Sequence, residues 1–261
     1  MTIIKEESDW NNVLIPDILY KYRDWDNTLH QSILKENILY FSSPANFQSD
    51  DYYDFNIPIK YPKTDEEIFT YIFKNNVGRI KYRNYKEYVQ ACKSILKNTP
   101  LKNKEERKKI AKQIKEAYFN IHGVLSLSAN SKNKYLWDNY ANKYSGFCVG
   151  FDMQVLKNNI QFGGGRVNYY KKLPIRDLIN DDLETVISKE FFSKREKFKE
   201  EEEFRLTITY SETASEDDRK KKFPNEAIKE VILGQNIHSE HKKEIKELVE
   251  KKFINAKIIE L

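Results

Sequence analysis

The chain has few cysteines and no long apolar run, and each absence narrows the range of functions. Its two cysteines, Cys92 and Cys148, are too few for a disulfide framework or a cysteine-rich zinc site, which favours a reducing, cytoplasmic setting. No stretch of about 18 apolar residues occurs, so we expect neither a membrane span nor a membrane partner. The first residues, Met1 to Glu7, carry no apolar segment of the kind found in a secretion signal.

Histidines and phosphate-binding glycine motifs are also scarce. Of the four histidines, His238 and His241 form an H-x-x-H pair, but no third ligand is near them in sequence and their neighbours are charged. This pattern predicts surface residues rather than a metal site. Residues 163–165 are three successive glycines, yet the chain contains neither G-x-G-x-x-G nor a glycine motif that ends in G-K-[ST], so we expect a plain turn there.

The remaining composition is that of a folded and strongly charged protein. The 261 residues are 39% hydrophobic and 33% charged, and 17 Tyr, 15 Phe and 3 Trp can build a core. The 45 basic and 40 acidic residues give a net charge of +5. A mildly basic chain is compatible with a polyanionic partner without requiring one.

Alternating and apolar patterns predict strands between segments with helical spacing. Thr64-Asp-Glu-Glu67 is a capping-box pattern, and we expect a helical segment from there to about Ile121. A second long helix is predicted from Ile175 to Lys199, followed by a strand that contains the carboxylate run and ends near Tyr210. Strands and helices do not alternate regularly, which predicts the α+β class. We expect one domain over residues 1–261, with a helical insertion at about 63–121.

Four consecutive glutamates, Glu200 to Glu203, precede the apparent strand Leu206–Tyr210. If they belong to the strand, Glu201 and Glu203 share one face, while Glu202 points away. Two carboxylates on one face suit chemistry on a sugar or a phosphate. The alternative is a solvated charge run that ends the preceding helix.

Short aromatic and charged motifs follow one another from about residue 18 to residue 240. They are Leu19–Arg23, Leu39–Pro44 with Phe47, Trp137–Tyr140 with Phe147 and Asp152, Val167 with Tyr169, Phe198–Arg205 and Val231–Gly234. In this order they resemble the bacterial and phage family catalogued as domain of unknown function 2971. The chain departs from the family pattern in the segment 47–54, at Asn139 where the family has histidine, and at Phe198 where it has tryptophan. This resemblance implies kinship but no reaction.

A second set of motifs carries more chemistry: Arg23 on the first predicted strand, Phe41-Ser42-Ser43 on the second, and Glu201-x-Glu203 on a late one. This order is similar to the Arg-Ser-Glu type of ADP-ribosyltransferases. The resemblance implies a mixed, mostly antiparallel split sheet and NAD as the substrate. It also implies that Arg23 holds the pyrophosphate or ribose side of NAD, and that Ser42 and Ser43 shape the nicotinamide pocket.

The same resemblance implies roles for the carboxylates. Glu203 would grip the nicotinamide ribose and stabilise the oxocarbenium-like state, and Glu201 would orient or deprotonate the acceptor. Tyr22 and Tyr40 are candidate stacking partners for nicotinamide or adenine, with core packing as the alternative. The implied acceptor is a protein or a nucleic acid. The implied setting is a toxin or an anti-phage effector with an antitoxin or another defence-system partner.

Two other hypotheses remain open from the sequence. In a metal-dependent nuclease, Asp50, Asp51, Asp54 and the run Glu200–Glu203 would hold Mg²⁺ if they converge, with Lys194 or Lys197 nearby. In a non-catalytic binding module, the aromatic loop from Phe47 to Tyr53 and the basic helices would contact a partner. The glutamates would then pair with lysines and arginines.

Overall fold

The computed structural model describes residues 15–49 and 52–261, and it confirms a mixed α+β protein. The strands are β1 (Ile18–Arg23), β2 (Ile38–Tyr40), β3 (Gln48–Ser49), β4 (Tyr52–Tyr53), β5 (Ile59–Lys60), β6 (His122–Ser128), β7 (Phe147–Asp152), β8 (Gly163–Arg166), β9 (Asn168–Tyr170), β10 (Arg176–Asp177), β11 (Ser193–Arg195), β12 (Glu203–Thr209), β13 (Lys220–Lys222), β14 (Ile228–Leu233) and β15 (Lys257–Glu260). The helices are α1 (Thr28–Lys35), α2 (Asp65–Asn75), α3 (Tyr85–Asn98), α4 (Lys104–Asn120), α5 (Lys134–Tyr140), α6 (Met153–Asn159), α7 (Leu183–Phe191) and α8 (Ser239–Lys252). Within the described ranges, no helix is both long and apolar enough to cross a membrane.

Seven strands form the main sheet, in the order β15-β14-β7-β1-β6-β12-β8. All neighbouring pairs are antiparallel except β14 and β15, so the prediction of a mostly antiparallel mixed sheet is confirmed. The main core packs against this sheet and includes the fully buried side chains of Leu19, Phe41, Phe147, Phe151 and Leu206. Burial of such large apolar groups is the main favourable contribution to folding.

The sheet has one weak seam, between β1 and β6. These strands share a single register pair, Tyr20 with Ser128, whereas β1 pairs with β7 over six residues and β12 pairs with β6 over seven. Beyond that pair the two strands diverge. Further along β6, the backbone of Ser42 pairs with Val124 instead. A gap is therefore left beside the middle of β6.

The insertion proposed at about 63–121 contains three helices, α2, α3 and α4, rather than one continuous helical segment. Thr64 and Glu67 form the predicted capping box at the start of α2. Asn84 and Asn103 cap α3 and α4 with their side chains, because helices that restart need partners for their first backbone amides. The insertion has a small core of its own around Ile72, Tyr88 and Cys92.

The long helix predicted from Ile175 to Lys199 is wrong. Only Leu183–Phe191 is α-helical; Ser193–Arg195 then forms a strand parallel to Asn168–Tyr170, and Glu196–Glu201 forms a 3₁₀ helix. In the segment from Ile175 to Lys199, apolar residues are buried at helical spacing only within α7 (Leu183–Phe191). Beyond it, the pairing of β11 with the distant β9 overrides local helix propensity.

Candidate functional site

A cavity of about 440 Å³ opens at the seam between β1 and β6. Six of the seven residues singled out from the sequence line it. They are Tyr22, Arg23, Tyr40, Ser42, Glu201 and Glu203. Ser43 does not line it, since its hydroxyl donates to the carbonyl oxygen of Phe119 at 3.2 Å. The structure therefore brings together residues from three distant parts of the chain on the walls of one cavity.

The carboxylates reach the cavity differently from the sequence prediction. Glu201 ends a 3₁₀ helix, and Glu203 begins β12, so they are not on one continuous strand. Glu202 lies between them in the left-handed conformation, with φ 47°, and its carboxylate accepts from the side chain of Asn130 at 2.9 Å. The reversal at Glu202 turns Glu201 and Glu203 inward and leaves Glu202 exposed.

Lys194 is the centre of a buried ion network. Its ammonium Nζ lies 2.6 Å from Glu201, 3.0 Å from Glu203 and 3.3 Å from Asp54. Burial opposes the charge, but the carboxylates of Glu203 and Asp54 outweigh that effect and raise the pKa of Lys194. Lys194 therefore stays protonated and fixes three carboxylates around one point.

Arg205 is the second cation of this network and is almost fully buried. It donates from Nε to Glu203 at 2.7 Å and from Nη2 to both Glu203 and Asp54, at 3.0 and 2.9 Å. Its third branch donates to the carbonyl oxygen of Phe191, and its plane lies over the ring of Phe55. Such charge-assisted bonds make Arg205 a rigid support beneath the cavity.

The two glutamates differ in how many acceptor positions remain unused. A carboxylate has about four lone-pair sites. Those of Glu203 are taken by Lys194, two nitrogens of Arg205 and the Ser126 side chain. Glu201 accepts from Lys194 and from the Tyr140 hydroxyl, the latter at 3.2 Å, which leaves about two sites toward the cavity.

The pKa values of the glutamates diverge for the same reason. Burial raises the pKa of Glu203, but Arg205 and Lys194 outweigh it and hold that pKa well below the usual range. Burial raises the pKa of Glu201, and Lys194 offsets this only in part. Two neighbouring carboxyl groups whose pKa values are driven apart are typical of an acid–base site.

The opposite wall, on β1, carries two further cations, Lys21 and Arg23. The ammonium of Lys21 donates to the carbonyl oxygen of Ser126, in the gap where β1 has left β6. Burial, and next the charge of Arg23, lower the pKa of Lys21 well below its usual value. Arg23 forms no ion pair or side-chain hydrogen bond with any residue in the described ranges, and burial lowers its pKa to about 10. A guanidinium without a carboxylate, at the wall of a cavity, is suited to bind an anion.

The tyrosines around the cavity are mostly committed to the fold. Tyr22 donates to the carbonyl oxygen of Asn130, and its ring meets Trp137 edge-on at 5.2 Å. Tyr40 donates to Glu216 at 2.7 Å. The hydroxyl of Tyr169 accepts from the backbone amide of Glu203 at 2.8 Å, which fixes the start of β12. Of these, Tyr40 reaches the cavity with its ring still half-exposed.

The acidic residues proposed to hold Mg²⁺ meet only in part. Asp54 does converge with Glu201 and Glu203, whereas Asp50 and Asp51 lie outside the described residues. The position between the three carboxylates is taken by the ammonium of Lys194. Across residues 15–49 and 52–261, no group of three or more His, Cys, Asp or Glu side chains is arranged to hold a metal ion.

Several residues of this site were missed or assigned to another role from the sequence. The sequence motifs contain Lys21 and Arg205 but indicate no role for them, and they indicate Asp54 and Lys194 only as parts of a metal site. The alternation of Lys21 with Tyr20 and Tyr22 on β1 was a usable signal, because a buried face with lysine and arginine is unusual. Asn139, a position singled out in the sequence analysis, is exposed and donates to the carbonyl oxygen of Tyr135 in its own helix, so it takes no part in the site.

Residues 136–206 match the family described as Protein of unknown function (DUF2971). The match supports the first of the two resemblances over this segment, which contains Lys194, Glu201, Glu203 and Arg205. No curated protein and no solved structure matches the chain. These comparisons give no support for a likeness to ADP-ribosyltransferases.

Proposed function

We propose that the protein is an NAD-dependent ADP-ribosyltransferase whose active site is the cavity at the β1–β6 seam. One observation carries the proposal. One wall of the cavity has the guanidinium of Arg23, which forms no ion pair or side-chain hydrogen bond with any described residue, and the other has the carboxylate of Glu201, which keeps spare acceptor capacity. Its volume lies in the range of about 300–1,000 Å³ that is usual for small-molecule sites. As part of this proposal, we interpret the seam between β1 and β6 as the split of the sheet that the resemblance to ADP-ribosyltransferases implies.

The proposed reaction needs an anion-binding wall and a carboxylate wall. The bond between the ribose C1′ and the nicotinamide nitrogen breaks, and its electron pair leaves with neutral nicotinamide. The positive charge that develops on the ribose is stabilised by the fixed carboxylate, while Arg23 holds the pyrophosphate by charge-assisted bonds. The acceptor atom then bonds to C1′, and its proton passes to Glu201.

The count of acceptor sites assigns different roles to the glutamates from those implied by the resemblance. Glu201 has acceptor capacity toward the cavity and a raised pKa, so it is the carboxylate proposed to face the sugar and the acceptor. Glu203 has none to spare, and we assign it to positioning Lys194 and Arg205. Lys194 in turn holds Glu201 in place.

The nuclease hypothesis is the second candidate, because Asp54, Glu201 and Glu203 converge. Lys194 weakens it, since its ammonium lies within 3.3 Å of all three carboxylates and competes with a divalent cation for the same oxygens. Magnesium-dependent cleavage of DNA or RNA without NAD would favour this candidate.

The test compares wild type, Glu201→Gln and Glu202→Gln for nicotinamide release and for transfer of label from adenine-labelled NAD to a cell lysate. Glu202→Gln is the matched control, because it neutralises the neighbouring glutamate, which is exposed and turned away from the cavity. We expect label transfer by wild type and Glu202→Gln, and a loss of at least about a hundredfold in Glu201→Gln, the range found for removal of an acid–base group. Protease treatment or nuclease treatment of the labelled product identifies the acceptor class.

Two results would contradict the proposal. One is the absence of both nicotinamide release and label transfer from folded wild-type protein. The other is equal activity of Glu201→Gln and Glu202→Gln, which would place the chemistry elsewhere. Urea unfolding of each variant shows whether a lost activity reflects a lost fold.

A further inference from the structure

Positive charge is concentrated in the helical insertion. Residues 63–121 contain 15 Lys and Arg against 7 Asp and Glu, a net charge of +8. The rest of the chain contains 30 basic and 33 acidic residues, a net charge of −3. Within the insertion, residues 68–104 contain nine basic residues and a single acidic one, Glu87. The overall charge of +5 therefore hides a basic segment on a slightly acidic body.

Of the nine cations in residues 68–104, Lys102 is the only one that forms an ion pair with a carboxylate in the described ranges, and its partner is Asp65. On α4, Lys108, Lys109 and Lys112 each lie opposite a glutamate of the same helix. In contrast, none of the six cations between residues 79 and 97 forms an ion pair with a carboxylate in the described ranges. These six, all exposed, are Arg79, Lys81, Arg83, Lys86, Lys93 and Lys97. The carboxylate of Glu87 is used on the backbone amide of Arg83.

Three of the six cations lie on one face of α3. Lys86, Lys93 and Lys97 are seven and four residues apart on α3, a spacing that places them on one face of the helix. Tyr88 and Cys92 bury the opposite face. At about 1.5 Å per residue the cations on this face extend over about 16 Å, enough to contact several successive phosphates. Arg79, Lys81 and Arg83 precede α3 in the turn before the helix.

Two exposed aromatic rings lie among these cations. Tyr85 is 71% exposed and Tyr82 is 45% exposed, in the sequence Arg79-Ile-Lys-Tyr-Arg-Asn-Tyr-Lys86. Exposed rings interleaved with unpaired cations are the arrangement by which proteins bind unpaired bases and their phosphates together. A patch that binds a membrane or a duplex by charge alone does not need such rings.

We infer that the surface formed by residues 79–97 binds single-stranded nucleic acid, with the cations on the phosphates and Tyr85 and Tyr82 against the bases. The insertion follows Asp54 by nine positions and leads into β6, and both Asp54 and β6 line the cavity. This inference does not depend on NAD chemistry.

The test is fluorescence anisotropy without NAD, using labelled single-stranded RNA, single-stranded DNA and the corresponding duplex, each of about 20 nucleotides. The test variant is Arg79→Ala/Lys81→Ala/Arg83→Ala. The matched control is Lys108→Ala/Lys109→Ala/Lys112→Ala, which removes the same charge from the same insertion. A second pair is Tyr85→Leu against Tyr85→Phe, which keeps the ring.

We expect wild type to bind the single strands more tightly than the duplex. The test triple should lose at least about tenfold in affinity, and the slope of log K against log salt should fall by about 2, at about 0.7 per phosphate contact. The control triple should stay within about twofold of wild type, and Tyr85→Leu should weaken binding while Tyr85→Phe does not. The RNA and DNA probes show which nucleic acid is preferred.

The inference is overturned by any of three results. The first is that both triple variants weaken binding equally. The second is that the protein binds duplex, or vesicles of anionic phosphatidylserine, as tightly as single strands. The third is that Tyr85→Leu does not change the affinity. Because no NAD is present, failure here leaves the proposed transferase untouched, and failure of the transferase leaves this binding measurement intact.

Discussion

Arg23 and Arg205 are two largely buried arginines of the same site that we expect to respond in opposite ways to the same substitution. Arg205 bonds to two carboxylates and a carbonyl oxygen. Arg23 has no such partner in the described ranges, and burial lowers its pKa from 12.5 to about 10. The charge of Arg23 therefore costs stability, whereas that of Arg205 holds two acidic groups in place.

The magnitudes follow from these contacts. A pKa change converts at about 1.4 kcal/mol per unit, so the full depression at Arg23 corresponds to about 3 kcal/mol. Allowing for its partial exposure and for the shorter stem of glutamine leaves about 0–2 kcal/mol. We expect Arg23→Gln to leave the free energy of unfolding unchanged or raise it by that amount. Removal of the repulsion between Arg23 and the side chains of Lys21 and His30 adds to this effect. Arg205→Gln should lower it by about 3–5 kcal/mol, because it leaves Asp54 and Glu203 buried with too few cations.

Urea unfolding followed by circular dichroism measures both free energies, and calorimetric titration with NAD measures binding. Arg23→Gln should weaken NAD binding by about tenfold or more, since a hydrogen bond to a charged group is worth about 1.5–3 kcal/mol. A destabilisation of Arg23→Gln equal to that of Arg205→Gln would refute the reasoning, because it would mean that Arg23 is a structural ion-pair partner. Unchanged NAD affinity with retained stability would refute its role as the anion-binding group.

Four further outcomes are expected. Glu203→Gln should lower the free energy of unfolding by about 3–5 kcal/mol, and Glu202→Gln by less than about 0.5, as measured by urea unfolding; equal effects would contradict the saturation of Glu203. Lys194→Met should lower the free energy of unfolding at neutral pH, because it leaves three carboxylates together without their ammonium group. Part of that free energy should return as the pH falls, because the carboxylates can then be protonated. A stability curve parallel to that of wild type would argue against the network. Burial and the charge of Arg23 lower the pKa of His30 from 6.5 to about 4. As the pH falls, the unfolded chain therefore binds the proton first, and about 1–2 kcal/mol of the free energy of unfolding should be lost between pH 6.5 and pH 4. The variant His30→Gln should flatten that decline. A Cβ at Gly146 would lie 2.1 Å from the backbone oxygen of Arg23, so Gly146→Ala should lower the free energy of unfolding by at least about 2 kcal/mol. A Cβ at Gly163 would meet only a side chain, at 3.4 Å, so Gly163→Ala should have a small effect.

Much of the site could be predicted from the sequence because its parts lie in short motifs. The order of the motifs along the chain predicts Arg23, Ser42, Glu201 and Glu203 as site residues, and all four line the cavity. Their surroundings could not be predicted, because Arg205 bonds to Asp54 across 151 positions of sequence. Local spacing carries no information about such a contact.

The path of the carboxylate segment was also beyond local rules. A run of four glutamates fits an alternating strand, but Glu202 adopts the left-handed conformation, which is uncommon for glutamate. The surrounding contacts of Glu201 and Glu203 with Lys194 select that conformation over the extended one. The insertion shows the opposite case: its capping box at Thr64 was readable because the signal and the structure are both local.

The seam between β1 and β6 has a mechanical consequence. Two well-paired half-sheets, β15-β14-β7-β1 and β6-β12-β8, meet through one register pair and through the Lys21 side chain, which donates to the carbonyl oxygen of Ser126. Separation of the halves breaks few bonds, so this is the part of the sheet that opens at lowest free energy. A ligand that contacts both Arg23 and Glu201 connects the two half-sheets and adds contacts between them. Its binding should therefore slow amide exchange along β1 and β6 more than in the outer strands.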